Sequence, residues 1–109
     1  MPTILLVEHD PLQGFLRKSI LERRFFDVQR VSDAADALCL IEQPRFAENL
    51  ALVITGHPIP GIGGPEFVAE LRRRLPSVPV LVLGSPSERP GDYPDAGVSF
   101  RSVTPCSKQ

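Results

Sequence analysis

The feature that most limits the fold of this chain is a series of short apolar runs separated by segments with helical spacing. Residues 4–7, 50–54 and 79–83 are continuous apolar runs, a pattern typical of parallel strands that are buried on both faces. Residues 26–31 roughly alternate apolar and polar side chains, as a strand with one exposed face does, and residues 98–103 are a fifth candidate strand. Because strands alternate with helices, the pattern predicts right-handed βαβ crossovers and a parallel sheet.

Each helix is predicted to begin at a capping residue or at a proline. The first has Asp10 as its cap and Pro11 at its first position, and its apolar residues recur at helical spacing. The segment around Pro44 is predicted to be a loop. The predicted helices are residues 11–24, residues 34–41 after a cap at Ser32 or Asp33, and residues 65–74.

The last third of the chain has few residues that favour helices. Prolines and glycines are frequent in residues 84–97, which leaves little room for an ordinary helix between the fourth and fifth strands. Four residues follow Pro105, so no helix is predicted after the fifth strand. We therefore expect one flank of the sheet, and the first helix, to expose apolar surface that needs a partner.

Composition limits the classes of partner. The 109 residues, 42% hydrophobic and 23% charged, suit one domain over residues 1–109. The net charge of -1 gives no broad attraction to nucleic acid or to an anionic membrane. The run from Arg72 to Arg74 is predicted to be the charged end of a helix. Because no basic leader is present, the protein is expected in the cytoplasm, with Cys39 and Cys106 reduced.

Several short motifs follow the predicted strands. Residues 4–11 are ILLVEHDP, residues 52–64 are LVITGHPIPGIGG, and residues 79–85 are PVLVLGS. Together with the pairs at residues 96–97 and 104–105, these motifs resemble the receiver domain of two-component response regulators. The resemblance implies a flavodoxin-like (CheY-like), doubly wound, parallel five-stranded α/β sheet, in which the family's fourth helix is shortened or lost and its fifth helix is absent.

Receiver domains accept a phosphoryl group from a histidine kinase onto an Asp, with the help of Mg²⁺, an acidic pair, a hydroxyl side chain and a Lys. The resemblance implies that the acceptor position is Gly56, which has no side chain and cannot attack phosphorus. The acidic pair becomes Glu8 and His9, so that an imidazole replaces one ligand of a hard cation. The remaining positions are Gly84 with Ser85 beside it for the hydroxyl, Thr104 for the Lys, and Pro105 where the family usually has a cis peptide bond.

The resemblance therefore implies a non-phosphorylatable receiver-like domain, a bacterial signalling and protein-interaction module of a two-component phosphorelay system, and not an enzyme. No cofactor is expected, because Mg²⁺ binding should be weak or absent. The expected partner is a protein, either a histidine kinase or another regulator. A homodimer through the face left open by the absent last helix is a further prediction, whereas nucleic-acid and membrane partners are not expected.

Three alternatives stay open. Glu8, His9 and His57 are candidate ligands for a transition metal or a small ligand, although their spacing matches no known metal motif. Phosphorylation at another residue, Ser85 or Thr55, would keep the chain within phosphorelay signalling. An enzyme would need a nucleophile such as Ser85 or Cys106, and the sequence gives neither of them an evident base.

Overall fold

A computed structural model describes residues 2–25, 27–56 and 63–84, and the backbone of residues 98–102. Within these ranges the strands and helices alternate as predicted, apart from one additional helix. The strands are β1 (Thr3–Val7), β2 (Asp27–Val31), β3 (Leu50–Gly56), β4 (Val80–Gly84) and β5 (Val98–Ser102). The helices are α1 (Pro11–Leu21), α2 (Ala34–Ile41), α3 (Pro44–Asn49) and α4 (Gly64–Arg74).

The strands form one parallel sheet in the order β2-β1-β3-β4-β5. Val7 at the end of β1 lies opposite Val31 on one side and Thr55 on the other. Gly56 at the end of β3 lies opposite Leu83 of β4. The carboxyl ends of the strands therefore meet at one edge of the sheet. The predicted parallel α/β fold is confirmed.

One face of the sheet carries the larger hydrophobic core. Leu5, Val53 and Val82, one from each of β1, β3 and β4, are fully buried in one cluster with Phe67 and Leu71 of α4. Removing such a side chain from water stabilises the fold by about 1.5–3 kcal/mol. The residues that α2 contributes to this core are Ala34, Ala37 and Ile41, with Leu38 partly buried beside them.

The opposite face of the sheet carries a smaller cluster. Ile4, Leu6, Val28 and Ile54 are buried there, and Leu21 of α1 packs against them. Three further strand residues on this face are only partly buried, since no other described helix packs side chains into the cluster: Leu52, Leu81 and Leu83. This face is therefore the less covered of the two among the described residues.

Helix α1 covers the sheet with only some of its apolar residues. Gln13 and Gly14 are buried, whereas Leu12, Phe15 and Ile20 are 52%, 67% and 53% exposed. Most of the apolar residues that recur at helical spacing in α1 are therefore exposed to solvent. The prediction that the first helix exposes apolar surface is confirmed for these residues.

Capping explains where the first two helices begin. Asp10 accepts hydrogen bonds from the backbone N–H groups of Leu12, at 2.9 Å, and Gln13, at 3.4 Å. Of the two residues predicted to cap α2, it is Asp33 that does so, because its Oδ1 accepts from the N–H of Asp36 at 2.9 Å. The first helix ends at Leu21, three residues earlier than predicted.

The prediction of a loop around Pro44 is wrong. Pro44 opens the short helix α3, which continues to Asn49, because proline is well suited to the first position of a helix. The Asn49 side chain donates to the carbonyl of Arg45 at 2.9 Å, and Phe46 packs against the larger core. A six-residue helix of this kind depends on tertiary packing, which the local sequence does not reveal.

The basic run closes the end of α4, as predicted. Arg72 donates to the carbonyls of Leu75 and Val78, so that it holds the turn that leads into β4. Arg73 pairs with Glu70 at 2.8 Å, and Arg74 pairs with Glu70 at 2.7 Å. The three guanidinium groups thus have partners within the domain.

Residues 57–62, 85–97 and 103–109 lie outside the described residues. The predicted shortening or loss of the family's fourth helix, the predicted absence of its fifth helix and the cis peptide at Pro105 therefore stay predictions. The predicted state of Cys106 stays one as well. Cys39 is an exposed, free thiol on α2. No helix in the described part of the chain is both long and apolar enough to cross a membrane.

Candidate functional site

The carboxyl edge of the sheet brings together three of the predicted site positions. Glu8 follows β1 directly, Gly56 ends β3 and Gly84 ends β4, and the pairing of these strands places them side by side. His9 is exposed next to Glu8. The other predicted positions, His57, Ser85, Thr104 and Pro105, lie outside the described residues.

Glu8 is the one carboxylate among these three strand ends, and both of its oxygens have donors. Oε1 forms an ion pair with Nη1 of Arg17, and Oε2 accepts from the backbone N–H of Asp10 at 3.2 Å. The two side chains of the ion pair are only 12% and 17% exposed, for Glu8 and Arg17 respectively. A pair this far removed from water is weakly screened by salt.

The backbone of Glu8 is held as firmly as its side chain. Its N–H donates to the carbonyl of Val31 at 3.0 Å. Its carbonyl accepts from Arg30, from Nε at 3.1 Å and from Nη2 at 2.8 Å. The junction between β1 and α1 is therefore tied to the edge strand β2.

Gly14 makes room for the Arg30 side chain. A Cβ on Gly14 would collide with Arg30 Nε and lie 2.8 Å from its Cδ. The sequence shows a glycine inside a helix, where it costs roughly 1 kcal/mol relative to alanine. The close approach of Arg30 explains why a glycine stands there.

The described residues do not fit a divalent cation of the Mg²⁺ type. Such a cation takes about six oxygen ligands, usually several waters together with one or two carboxylates that are free to bind it. Here Glu8 is engaged by Arg17, Asp10 uses Oδ1 to cap α1, and Gly56 contributes no side chain. No cluster of three or more His, Cys, Asp or Glu residues that could hold a metal occurs in the described part of the chain.

Thr55, a candidate for atypical phosphorylation, is fully buried. Its hydroxyl donates to the carbonyl of Gly56 at 3.2 Å. The alternation of side chains along β3 places Thr55 on the face of Val53 and opposite to that of Ile54, within the larger core. In this position the hydroxyl is shielded from solvent.

An apolar groove of about 200 Å³ runs along the less covered face of the sheet. Strand residues form its floor and residues of α1 form one wall. Its lining residues are Leu6, Ile54, Leu81 and Leu83 from the strands, and Arg17, Ile20 and Leu21 from α1. Arg17 therefore lies between the groove and the carboxylate of Glu8.

The strand order, the parallel pairing and the strand-end positions at one edge define a receiver-type α/β domain. Residues 4–93 match the family model for the response regulator receiver domain. The chain belongs to this family, as its motifs indicated. No match was found among curated proteins.

Solved structures agree with the assignment of the fold. The receiver domain of an HD domain-containing protein from Pseudomonas fluorescens Pf-5 is 21% identical, with a TM-score of 0.80 over 93% of this chain and 81% of that one. The response regulator TrrA from Thermotoga maritima, solved in complex with Mg²⁺-BeF, is 23% identical, with a TM-score of 0.74 over 98% and 90%. The receiver domain of the hybrid histidine kinase CckA is 28% identical, with a TM-score of 0.72 over 92% and 83%.

Three residues that hold this site together were not singled out from the sequence: Gly14, Arg17 and Arg30. Arg17 stands nine residues after Glu8, and Arg30 stands 22 residues after it. Neither spacing is a known motif. The glycine inside α1 was the one local signal available, because such a glycine often marks a close approach of another group.

Proposed function

We propose that this chain is a receiver domain that works without phosphorylation at the family's acceptor position and acts by binding another protein. The observation that carries the proposal is the set of residues at the carboxyl edge of the sheet. At that edge Gly56 ends β3 without a side chain, and the carboxylate of Glu8 is already paired with Arg17. Transfer of a phosphoryl group needs a nucleophilic oxygen and positive charge around the phosphoryl oxygens. Gly56 offers no nucleophilic oxygen, and the Glu8 carboxylate, being paired with Arg17, is a poor ligand for a metal that would supply the positive charge.

The proposal includes neither an enzymatic role nor a resident cofactor, and it places the module in the cytoplasm. A nucleophile in an enzyme needs a base within hydrogen-bond reach. Among the described residues, Thr55 is buried with its hydroxyl bonded to a backbone carbonyl, whereas Ser85 and Cys106 lie outside them. The pairing of Glu8 with Arg17 supports a module that needs no Mg²⁺.

A protein partner is supported by the surface of α1. Leu12, Phe15 and Ile20 together expose apolar side chains on one helix, and large apolar side chains grouped in this way mark interaction sites. The net charge of -1 favours neither nucleic acid nor an anionic membrane as the partner. A kinase, another regulator or a second copy of the chain fits this surface.

Incubation with acetyl phosphate and Mg²⁺, followed by intact-mass measurement, tests the proposal. We expect no gain of a phosphoryl group. Calorimetric titration with Mg²⁺ and beryllofluoride should show no binding, with TrrA as the positive control because its solved structure holds Mg²⁺-BeF. Mg²⁺-dependent beryllofluoride binding would show that the site still works as a phosphate switch. A stable mass increase of one phosphoryl group would show that the chain is phosphorylated, at a residue that peptide mapping would locate.

A further inference from the structure

We propose that Arg17 is a built-in cation that neutralises Glu8, so that this edge of the sheet is stable without a metal ion. The inference rests on the proposed function and deepens it, because it names the group that takes the place of the metal. Glu8 and Arg17 form an ion pair with side chains 12% and 17% exposed. A carboxylate removed from water to this extent needs an opposite charge or strong donors.

The surroundings of the pair favour this role over a surface ion pair that forms by chance. The second carboxylate oxygen of Glu8, Oε2, accepts a hydrogen bond from the N–H of Asp10, and the backbone carbonyl of Glu8 accepts one from Arg30. Glu8 therefore lies at a junction fixed on three sides, and its carboxylate has little freedom to turn toward water. Because the junction is fixed, the guanidinium of Arg17 meets a carboxylate that is already in place.

The position of Arg17 explains how a long side chain reaches Glu8. Arg17 lines the apolar groove beside Leu6 and Ile20. The stem of an arginine can lie along apolar surface while its charged end extends to a polar partner. The charged end is thereby directed at the Glu8 carboxylate.

The experiment compares melting temperatures in MgCl₂ and in NaCl of equal ionic strength for the full chain and its variants. Wild type should melt at the same temperature in both salts. Arg17→Met keeps most of the apolar stem and removes the charge, so it should lower the melting temperature by roughly 5–10 °C. In this variant Mg²⁺ should restore part of the loss beyond the effect of NaCl, because the Glu8 carboxylate then has no internal cation.

Two further variants separate charge from packing. Glu8→Gln combined with Arg17→Met removes both charges, and it should melt above Arg17→Met and show no Mg²⁺ effect. Lys18→Met removes the neighbouring cation, which pairs with Glu22 on the exposed side of α1, and should leave the melting temperature nearly unchanged in both salts. If Arg17→Met does not fold, the double variant decides: a folded double variant supports the neutralising role, and an unfolded one overturns it.

The outcomes also separate this inference from the proposed function. If Mg²⁺ stabilises wild type, the proposed metal-free function fails. Suppose instead that Mg²⁺ does not change the melting temperature of wild type. If Arg17→Met then keeps the wild-type melting temperature, or is not stabilised by Mg²⁺, the inference about Arg17 is wrong and the proposed function stands. A drop that Mg²⁺ partly reverses, and that the double variant abolishes, is the result expected for a built-in cation.

Discussion

At the scale of single residues, the contact between Gly14 and Arg30 shows how one missing Cβ shapes the site. Arg30 extends from the edge strand β2, passes over Gly14 and donates twice to the carbonyl of Glu8. The bidentate contact fixes the chain where β1 turns into α1. Charge-assisted hydrogen bonds of this kind are stronger than neutral ones. Gly14 therefore stabilises the domain indirectly, because it leaves room for Arg30 to make these bonds.

Gly14→Ala should destabilise the domain by about 1 kcal/mol, because the new Cβ would push aside the end of the flexible Arg30 side chain, which then loses its hydrogen bonds to Glu8. Alanine is a better helix former than glycine, so propensity alone predicts a stabilisation of roughly 1 kcal/mol. Urea unfolding measures the difference. The control is the double variant Gly14→Ala/Arg30→Ala, which lacks the Arg30 side chain beyond Cβ. Compared with Arg30→Ala alone, it should be equally stable or more stable. A Gly14→Ala chain as stable as wild type would contradict the steric role of Arg30.

The pair of Glu70 and Arg74 gives a pH-dependent contribution. The hydrogen bond from Arg74, together with the charge of Arg73, holds the pKa of Glu70 below its ordinary value of 4.5. A carboxyl group whose pKa is lowered by folding stabilises the folded state above its ordinary pKa, and that contribution is lost as the pH falls through the folded pKa.

Glu70→Gln should therefore lower stability slightly at neutral pH and have no effect well below pH 4.5. The effect should be small and should fade in high salt, because the group is on the surface. Urea unfolding at several pH values compares this variant with Glu48→Gln, which changes an exposed carboxylate of α3. An equal effect of both substitutions at all pH values would argue against a specific role of the pair.

At the scale of elements, α1 connects the site to the surface. Its start is fixed by Asp10, its inner side carries Gln13 and Gly14, and its outer side carries Leu12 and Phe15. Leu21 of the same helix packs against the smaller core, so the apolar residues of α1 are divided between the sheet and the solvent. Gly14 fits against the Arg30 side chain, and Arg17 is held by its pair with Glu8.

Asp10→Ala should cost about 1 kcal/mol, because the first turn of α1 loses its side-chain acceptor for two backbone N–H groups. Thermal unfolding followed by circular dichroism measures the loss. Asp10→Asn keeps an acceptor oxygen and serves as the matched variant, with stability close to wild type expected. If alanine and asparagine behave alike, the cap contributes little to the stability of the domain.

At the scale of the whole molecule, the two faces of the sheet are unequal. Helices α2 and α4 pack on the larger core, whereas the opposite face has the apolar groove beside α1 among its described residues. Ile20 belongs to both the groove and the exposed side of the helix. A second copy that covers this face would bury the groove and the apolar side of α1 together.

Wild type is therefore expected to form a dimer, and Ile20→Glu is expected to be monomeric, because a charge in the apolar contact is costly to desolvate. Light scattering after size-exclusion chromatography, over a range of concentrations, gives the mass. Ser19→Glu places the same charge on the neighbouring exposed position of α1 and should remain dimeric if the contact is centred on the groove. A monomeric wild type at all concentrations would leave a different protein as the partner.

Much of the fold followed from local pattern. The apolar runs gave the strands at β1, β3 and β4 to within two residues, and the capping residues Asp10 and Asp33 gave the helix starts. These features are local, because side-chain periodicity and capping act within a few residues. Helix α3 was missed, since its stability comes from Phe46 packing on a core that lies far away in sequence.

By itself, the sequence determined the α/β class, the family, and the absence of a side chain at Gly56, because each of these depends on residue identity and order alone. Only the tertiary structure decided that Glu8 is paired with Arg17, that Arg30 fits over Gly14, and that α1 leaves Leu12, Phe15 and Ile20 exposed. These contacts join residues from different turns and strands. Their distances are set by how α1 packs on the sheet, and no local pattern in the chain encodes that packing.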